Sequence, residues 1–241
     1  MREYLRRAAC NNALWCDAVS SAQGAPGEFR QALWLNRFTT PPGYPNVVTL
    51  APLEAAAEQI EAVISLAQSP LGAGWAVKDS FRSLDLRSLG FTVLFDAEWI
   101  FQRPAVGGAQ GGLTALSWRT VRSEADLQLW ERAWAGETAA GTAPIFAASL
   151  MSRADVCFLF SLADGMPVCG GVLNKGAGVI GLSNVFHVGV DPEIAWRGLV
   201  REAARRFPGL PVVGYECGKA LAVARGVGFQ SMGPLRIWLM P

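Results

Sequence analysis

DPEIAWRGLVREAARRFPGLPVVGYEC, residues 191–217, is the stretch on which the reading of the fold turns. Trp196, Leu199, Val200, Ala203 and Phe207 share one face of a helix, and Asp191 followed by Pro192 provides an N-cap and a first helical residue. Pro208 and Gly209 stop that helix, and LPVVGYEC (210–217) reads as a short buried strand. A strand, a helix and a strand at this spacing predict a right-handed crossover onto a parallel neighbour.

Upstream, ADVCFLFSLADGMPVCGGVLNK (154–175) and GAGVIGLSNVFHV (176–188) hold three β-branched or aromatic runs, separated by the turn sequences Ala-Asp-Gly and Lys-Gly-Ala-Gly. They predict an antiparallel meander of three strands. LTALSWRTV (113–121) is strand-like, and Ser123 with Glu124 and Asp126 predicts the start of a helix over ADLQLWERAWAG. Downstream, GKALAVARGVG (218–228) predicts a second helix and RIWLM (236–240) a final strand.

The first half has the same order with pieces missing. A helix over residues 4–22 precedes strands in FRQALWLNRFT and YPNVVTL, on either side of the turn Pro-Pro-Gly-Tyr-Pro. LEAAAEQIEAVISLAQ (53–68) is a strong helix former. GWAVKDSF reads as a strand, SLDLRSLG as a short helix and FTVLFDAEWIF as a strand. SLGFTVLFDAEWI (88–100) and GVGFQSMGPLRIWL (226–239) thus share a helix end, a Gly-Phe pair and a strand with a Trp near its end. We read a duplicated α/β (α+β) architecture: a mixed, largely antiparallel sheet flanked by helices, in two fused halves. The halves are residues 1–103 and 113–241, joined by a Gly-rich linker at 104–112.

Composition narrows the chemistry. The chain has 241 residues, a formal charge of +1 and nine Trp, which describes an ordered globular protein with no excess of positive charge for a nucleic-acid backbone. Its apolar runs are shorter than the ~20 residues of a membrane span. MREYLRRAAC lacks the apolar core of a signal peptide, so the expected location is the cytoplasm. Five scattered Cys, none in a C-x-x-C spacing, read as small buried hydrophobes. The single histidine, His187, rules out a multi-histidine metal site, and no metal is expected. A hydrolase built on Cys157 or a serine with His187 lacks a nucleophile-elbow motif.

Residues 113–241 resemble an acyltransferase domain of the GNAT superfamily. SNVFHVGVDPE, GYECGKALAVARGVGF and PLRIWLM resemble its fourth strand, its fifth strand with the following helix, and its closing strand. The first half resembles a truncated copy. The resemblance implies acyl transfer from acetyl-CoA or another acyl-CoA to the amine of a small molecule or peptide, in a gap where the fourth and fifth strands splay. It places Asn184, Val185, Phe186, Gly189 and Val190 along the cofactor, with a backbone N–H stabilising the oxyanion. His187 and Tyr215 become the candidates for proton transfer, with Cys217 nearby and hydrogen-bonded structural or half-buried roles as their alternatives. Tyr215 and Glu216 alternate on the strand, so only one of them faces the gap.

The departures from the family pattern are specific. The Gly-rich pyrophosphate loop is replaced by DPEIAWRG, in which Asp191 caps the helix itself, Pro192 lacks an N–H and Glu193 adds negative charge. TLAPLEAAAEQ in the first half has no glycine, so no cofactor is expected there. The family's acid, a tyrosine before Gly-Phe, is replaced by Ala224 and, in the first copy, Leu86. Arg197, Arg201 and Arg205 form a stripe that suits phosphates, an acidic partner or a solvated helix face. Trp15, Trp34, Trp75, Trp130, Trp134 and Trp196 suit either an apolar pocket or a core. A second reading follows: a non-catalytic scaffold that binds a ligand or another copy of itself, an exposed sheet edge favouring a homodimer.

Overall fold

The computed structural model describes residues 1–69, 71, 73–104, 116–136 and 143–241. The stretch read as a linker lies outside them from residue 105 on, as do residues 113–115 of the strand-like LTALSWRTV. The chain forms two units, one of residues 1–99 with 232–241 and the other of residues 100–231.

In the first unit, α1 (Arg2–Ala22) is followed by β1 (Glu28–Phe29), β2 (Leu33–Leu35), β3 (Val47–Thr49), α2 (Ala56–Ala67), β4 (Ala76–Asp79) and β5 (Thr92–Gln102), whose last three residues belong to the second unit. Strand alternation sorts its core. Leu33, Leu35 and Val47 pack with Val63 and Leu66 of α2, whereas Trp34 and Val48 pack with Ala13 and Cys16 of α1. β3 and β4 pair in parallel across the α2 crossover, Val47 opposite Val77 and Val48 opposite Lys78. The Asp79 carboxylate accepts the backbone N–H of Leu84 at 2.8 Å and of Ser83 at 3.1 Å, tying the following loop back to the strand.

SLDLRSLG is shorter than expected: Arg87–Leu89 makes a single 3-10 turn, closed by Gly90 in the left-handed region. Leu84 and Leu86 on either side of Asp85 are buried in the unit's core, which draws the chain inward and leaves no room for another turn. FRQALWLNRFT likewise forms a tight hairpin of β1 and β2, with Arg30 N–H donating to the Leu33 carbonyl at 2.8 Å.

The second unit runs β6 (Trp118–Thr120), α3 (Glu124–Ala135), β7 (Val156–Ala163), β8 (Met166–Gly176), β9 (Val179–His187), α4 (Pro192–Arg206), β10 (Val212–Glu216) and α5 (Gly218–Gly226). β11 (Gln230–Leu239) begins here and continues into the first unit. The meander β7–β8–β9 is antiparallel and β10 adds to β9 in parallel. Ser123 Oγ caps α3 by accepting the Asp126 N–H at 3.1 Å.

Each face of this sheet carries its own core. Against α3, Trp130 meets Phe146, Phe158 and Phe186 edge-on, with ring centroids 5.1–5.5 Å apart, and its indole N–H donates to the Leu159 carbonyl at 2.8 Å. Against α4 and α5, Leu182, Leu199, Trp196, Val212, Ala224 and Phe229 form an aliphatic and aromatic layer. Trp15, Trp34, Trp75, Trp130 and Trp196 are buried, which assigns them to cores. Cys217 departs from the expectation for the cysteines: it is exposed, at the N-cap of α5. No helix among the described residues is long and apolar enough to cross a membrane.

Candidate functional site

The site is built where β9 and β10 cease to pair. Their parallel register holds for two pairs, Ile180 with Val212 and Gly181 with Val213. β9 continues to His187 and β10 to Glu216 without a further partner across that gap. Gly214 stands at the parting point, where a Cβ would lie 2.8 Å from the Leu182 carbonyl oxygen. Gly214→Ala forces the strands apart one residue earlier and should cost about 1–3 kcal/mol in chemical denaturation. A cost below ~0.5 kcal/mol would show that β10 moves freely at this point.

On its other edge β9 carries a bulge. Val172 of β8 faces Ser183 and Gly170 faces Phe186, so three residues of β9 span what two residues of β8 span. Asn184 takes up the extra length with φ of +52°, a conformation that asparagine tolerates better than most residues. The bulge inverts the alternation of everything after it. Val185 packs toward the α4 layer, Phe186 turns into the aromatic core of α3, and His187 falls on the α4 side opposite Cys169. Gly170 makes room for Phe186, since a Cβ there would stand 2.6 Å from the Leu159 carbonyl and collide with the Phe186 ring.

Counting outward from the last pair, Glu216 is level with Asn184 and Tyr215 with Ser183. His187 lies three residues farther, about 10 Å along the strand. It is exposed, with no side-chain hydrogen-bond partner among the described residues. Tyr215 is half-buried, on the face opposite Glu216. Glu216 shares the face of Val212 and is half-buried, with neither an ion-pair nor a hydrogen-bond partner among the described residues. Burial alone pushes its carboxyl up to about 7. In the sequence Glu216 stands beside Tyr215 as one of an alternating pair and is not among the proton-transfer candidates; its signal there is a single carboxylate at the end of the apolar strand VVGYE.

Acyl-CoA fits this arrangement at one end only. The parted strand edges and the bulge leave backbone groups without ladder partners, which suits an amide-bearing pantetheine arm. The start of α4, where a diphosphate would be expected, is occupied by the chain's own groups. The Asp191 carboxylate accepts the Glu193 N–H at 2.8 Å, and Pro192 has none to give. Arg197 holds Glu193 at 3.0 Å and also donates to the Gly226 carbonyl at 3.2 Å. Arg205 is likewise engaged, by Glu202 at 2.8 Å. Gly189 and Val190 lie in the turn before this self-capped start. Ala224 and Leu86, at the positions of the family's acid, are fully buried in apolar cores. Burial also pushes the Cys157 thiol up, away from the thiolate that a hydrolase built on Cys157 would need.

Comparison with known proteins gives the fold. No family model matches the chain, and no curated protein does. Among solved structures it is similar to a GCN5-related N-acetyltransferase from Kribbella flavida, with a TM-score of 0.62 and 13% identity over 97% of this chain and 95% of that one. It is similar to a conserved protein of unknown function from Staphylococcus epidermidis, with a TM-score of 0.60 and 11% identity over 90% and 94% of the two chains. A tandem GNAT protein from the clavulanic acid biosynthesis pathway aligns with a TM-score of 0.52 and 12% identity, over 86% of this chain and 77% of its own. The chain has the GNAT fold.

Proposed function

We propose that this protein is an N-acyltransferase of two fused GNAT-like halves, whose second half transfers an acyl group from a pantetheine thioester such as acetyl-CoA to an amine of a small molecule or peptide. The observation that carries the reading is Glu216, an unpaired and desolvated carboxylate level with the bulge where β9 and β10 part. A carboxyl held near 7 is matched to taking a proton from an ammonium or an attacking amine at neutral pH.

In this reading the thioester, when bound, supplies the acyl carbon. Glu216 takes one proton from the amine as the new C–N bond forms and the C–S bond breaks. Glu216, the member of the pair that faces the gap in this reading, passes that proton to the departing sulfur, so that amide and free thiol are the products, and Tyr215 on the opposite face takes no part. The bulged backbone from Asn184 to Phe186 offers N–H donors toward the carbonyl oxygen. His187, exposed at the outer end of β9, meets the acceptor on its way in under this reading.

Thermal unfolding with millimolar acetyl-CoA, and with ATP as control, tests the reading. Ligand at about 100 times its dissociation constant should stabilise the fold by ~2.7 kcal/mol, a rise of roughly 5–10 °C. A rise with acetyl-CoA and none with ATP should be followed by thiol release in an amine screen. No shift with acetyl-CoA would favour the non-catalytic scaffold, a reading that the self-capped α4 and buried Ala224 also accommodate.

A further inference from the structure

We propose that the donor is recognised through its acyl-pantetheine arm and not through its nucleotide, so that a pantetheine thioester without a nucleotide binds this chain as well as acetyl-CoA does. The proposal rests on the acyltransferase reading and names the donor class of the same site.

An α-helix can present its first N–H groups to an anion, and that is how a helix start holds a diphosphate. Here Pro192 has no N–H, that of Glu193 is taken by the Asp191 carboxylate at 2.8 Å, and that of Ala195 by the Asp191 carbonyl at 3.2 Å. Just upstream, the Val188 N–H is spent on the Val168 carbonyl at 2.7 Å. Ile194 is left as the one first-turn N–H without an assigned partner among the described residues.

Charge points the same way. The helix start carries the Asp191 carboxylate in the capping position and Glu193 in its first turn. Arg197 offsets Glu193 but spans it and the Gly226 carbonyl, so it is not free to hold a phosphate, and the Asp191 carboxylate is left as the net charge. The Glu193 carboxylate is held over Gly226, where even a Cβ would come within 3.0 Å of its Oε1. A diphosphate here would have to displace the Arg197–Glu193 pair to reach a cation and would meet the Asp191 carboxylate. The strand edges that would take the pantetheine arm are backbone and carry no such conflict.

Isothermal titration of the full chain with acetyl-CoA, S-acetylpantetheine and the 3′-phosphorylated ADP half of CoA tests the proposal. Acetyl-CoA and S-acetylpantetheine should bind with dissociation constants within about threefold, and the nucleotide half should show no binding at millimolar concentration. Acetyl-CoA binding tenfold or more tightly than S-acetylpantetheine would overturn the proposal and leave the acyltransferase reading standing. Binding of neither thioester would overturn both. Glu193→Gln, which keeps the Asp191 cap and the fold, should tighten acetyl-CoA by about 2- to 5-fold and leave S-acetylpantetheine unchanged. An unchanged acetyl-CoA constant in that variant would count against the helix start as the excluding element.

Discussion

Glu216→Gln should lower amine acylation at pH 8 by about 10²- to 10⁴-fold while making the folded protein more stable at that pH. Both effects follow from one property, the burial of an unpaired carboxyl. At pH 8 a group with a folded value of about 7 is mostly ionised and able to accept a proton. The rate in the wild-type chain should therefore rise with pH through about 7, and that limb should vanish in the variant. For stability the sign is opposite to the usual carboxylate case. The folded value stands above the ordinary 4.5, so between the two the folded state holds more protons than the unfolded. The associated stability is complete below about 4.5 and is lost as pH rises through about 7, at about 1.4 kcal/mol for each pH unit and ~3 kcal/mol in all. Glutamine removes that loss. The melting temperature of the variant should exceed wild type by several degrees at pH 8 and match it at pH 4.5. Lost activity with no gain in stability at pH 8 would mean that the carboxylate is solvated, and its role as a tuned base would fall.

How far the sequence carries this picture depends on whether the determinant is local. The three-strand meander follows from Ala-Asp-Gly and Lys-Gly-Ala-Gly, because turn chemistry is written in a few adjacent residues. The caps at Ser123 and Asp191 are read from the residue and its neighbours, and both form as expected. The bulge at Asn184 is different in kind. It is a mismatch between the registers of β8 and β9, and an asparagine in a strand is only a faint sign of it. Without the bulge, simple alternation would put Phe186 and His187 on the wrong faces. Glu216 was visible as one of an alternating pair, but its burial comes from tertiary packing on the face it shares with Val212, where α4 and α5 supply core residues, and no local pattern reports that. The destination of the closing strands lies further still from local pattern, because strand partners are chosen by tertiary packing.

Trp238→Ala should cost about 3–5 kcal/mol, and the cost should fall on the N-terminal unit although the residue lies three places from the end of the chain. β11 pairs antiparallel with β4, Arg236 opposite Asp79 and Trp238 opposite Val77, so the last strand completes the sheet that begins with β1. Trp238 is fully buried there among Leu33, Val47, Trp75, Val77 and Leu86, with the Arg236 guanidinium 5.1 Å from its ring. Emptying that volume leaves a cavity walled by rigid strand residues that cannot collapse into it. Hydrogen exchange should then show lost protection in β2, β3 and β4, with the meander β7–β9 unchanged. A chain whose closing strand served its own half would give the reverse pattern, with the meander exposed and β2–β4 intact. That result would remove β11 from the N-terminal sheet, and β4 would be left as an open edge.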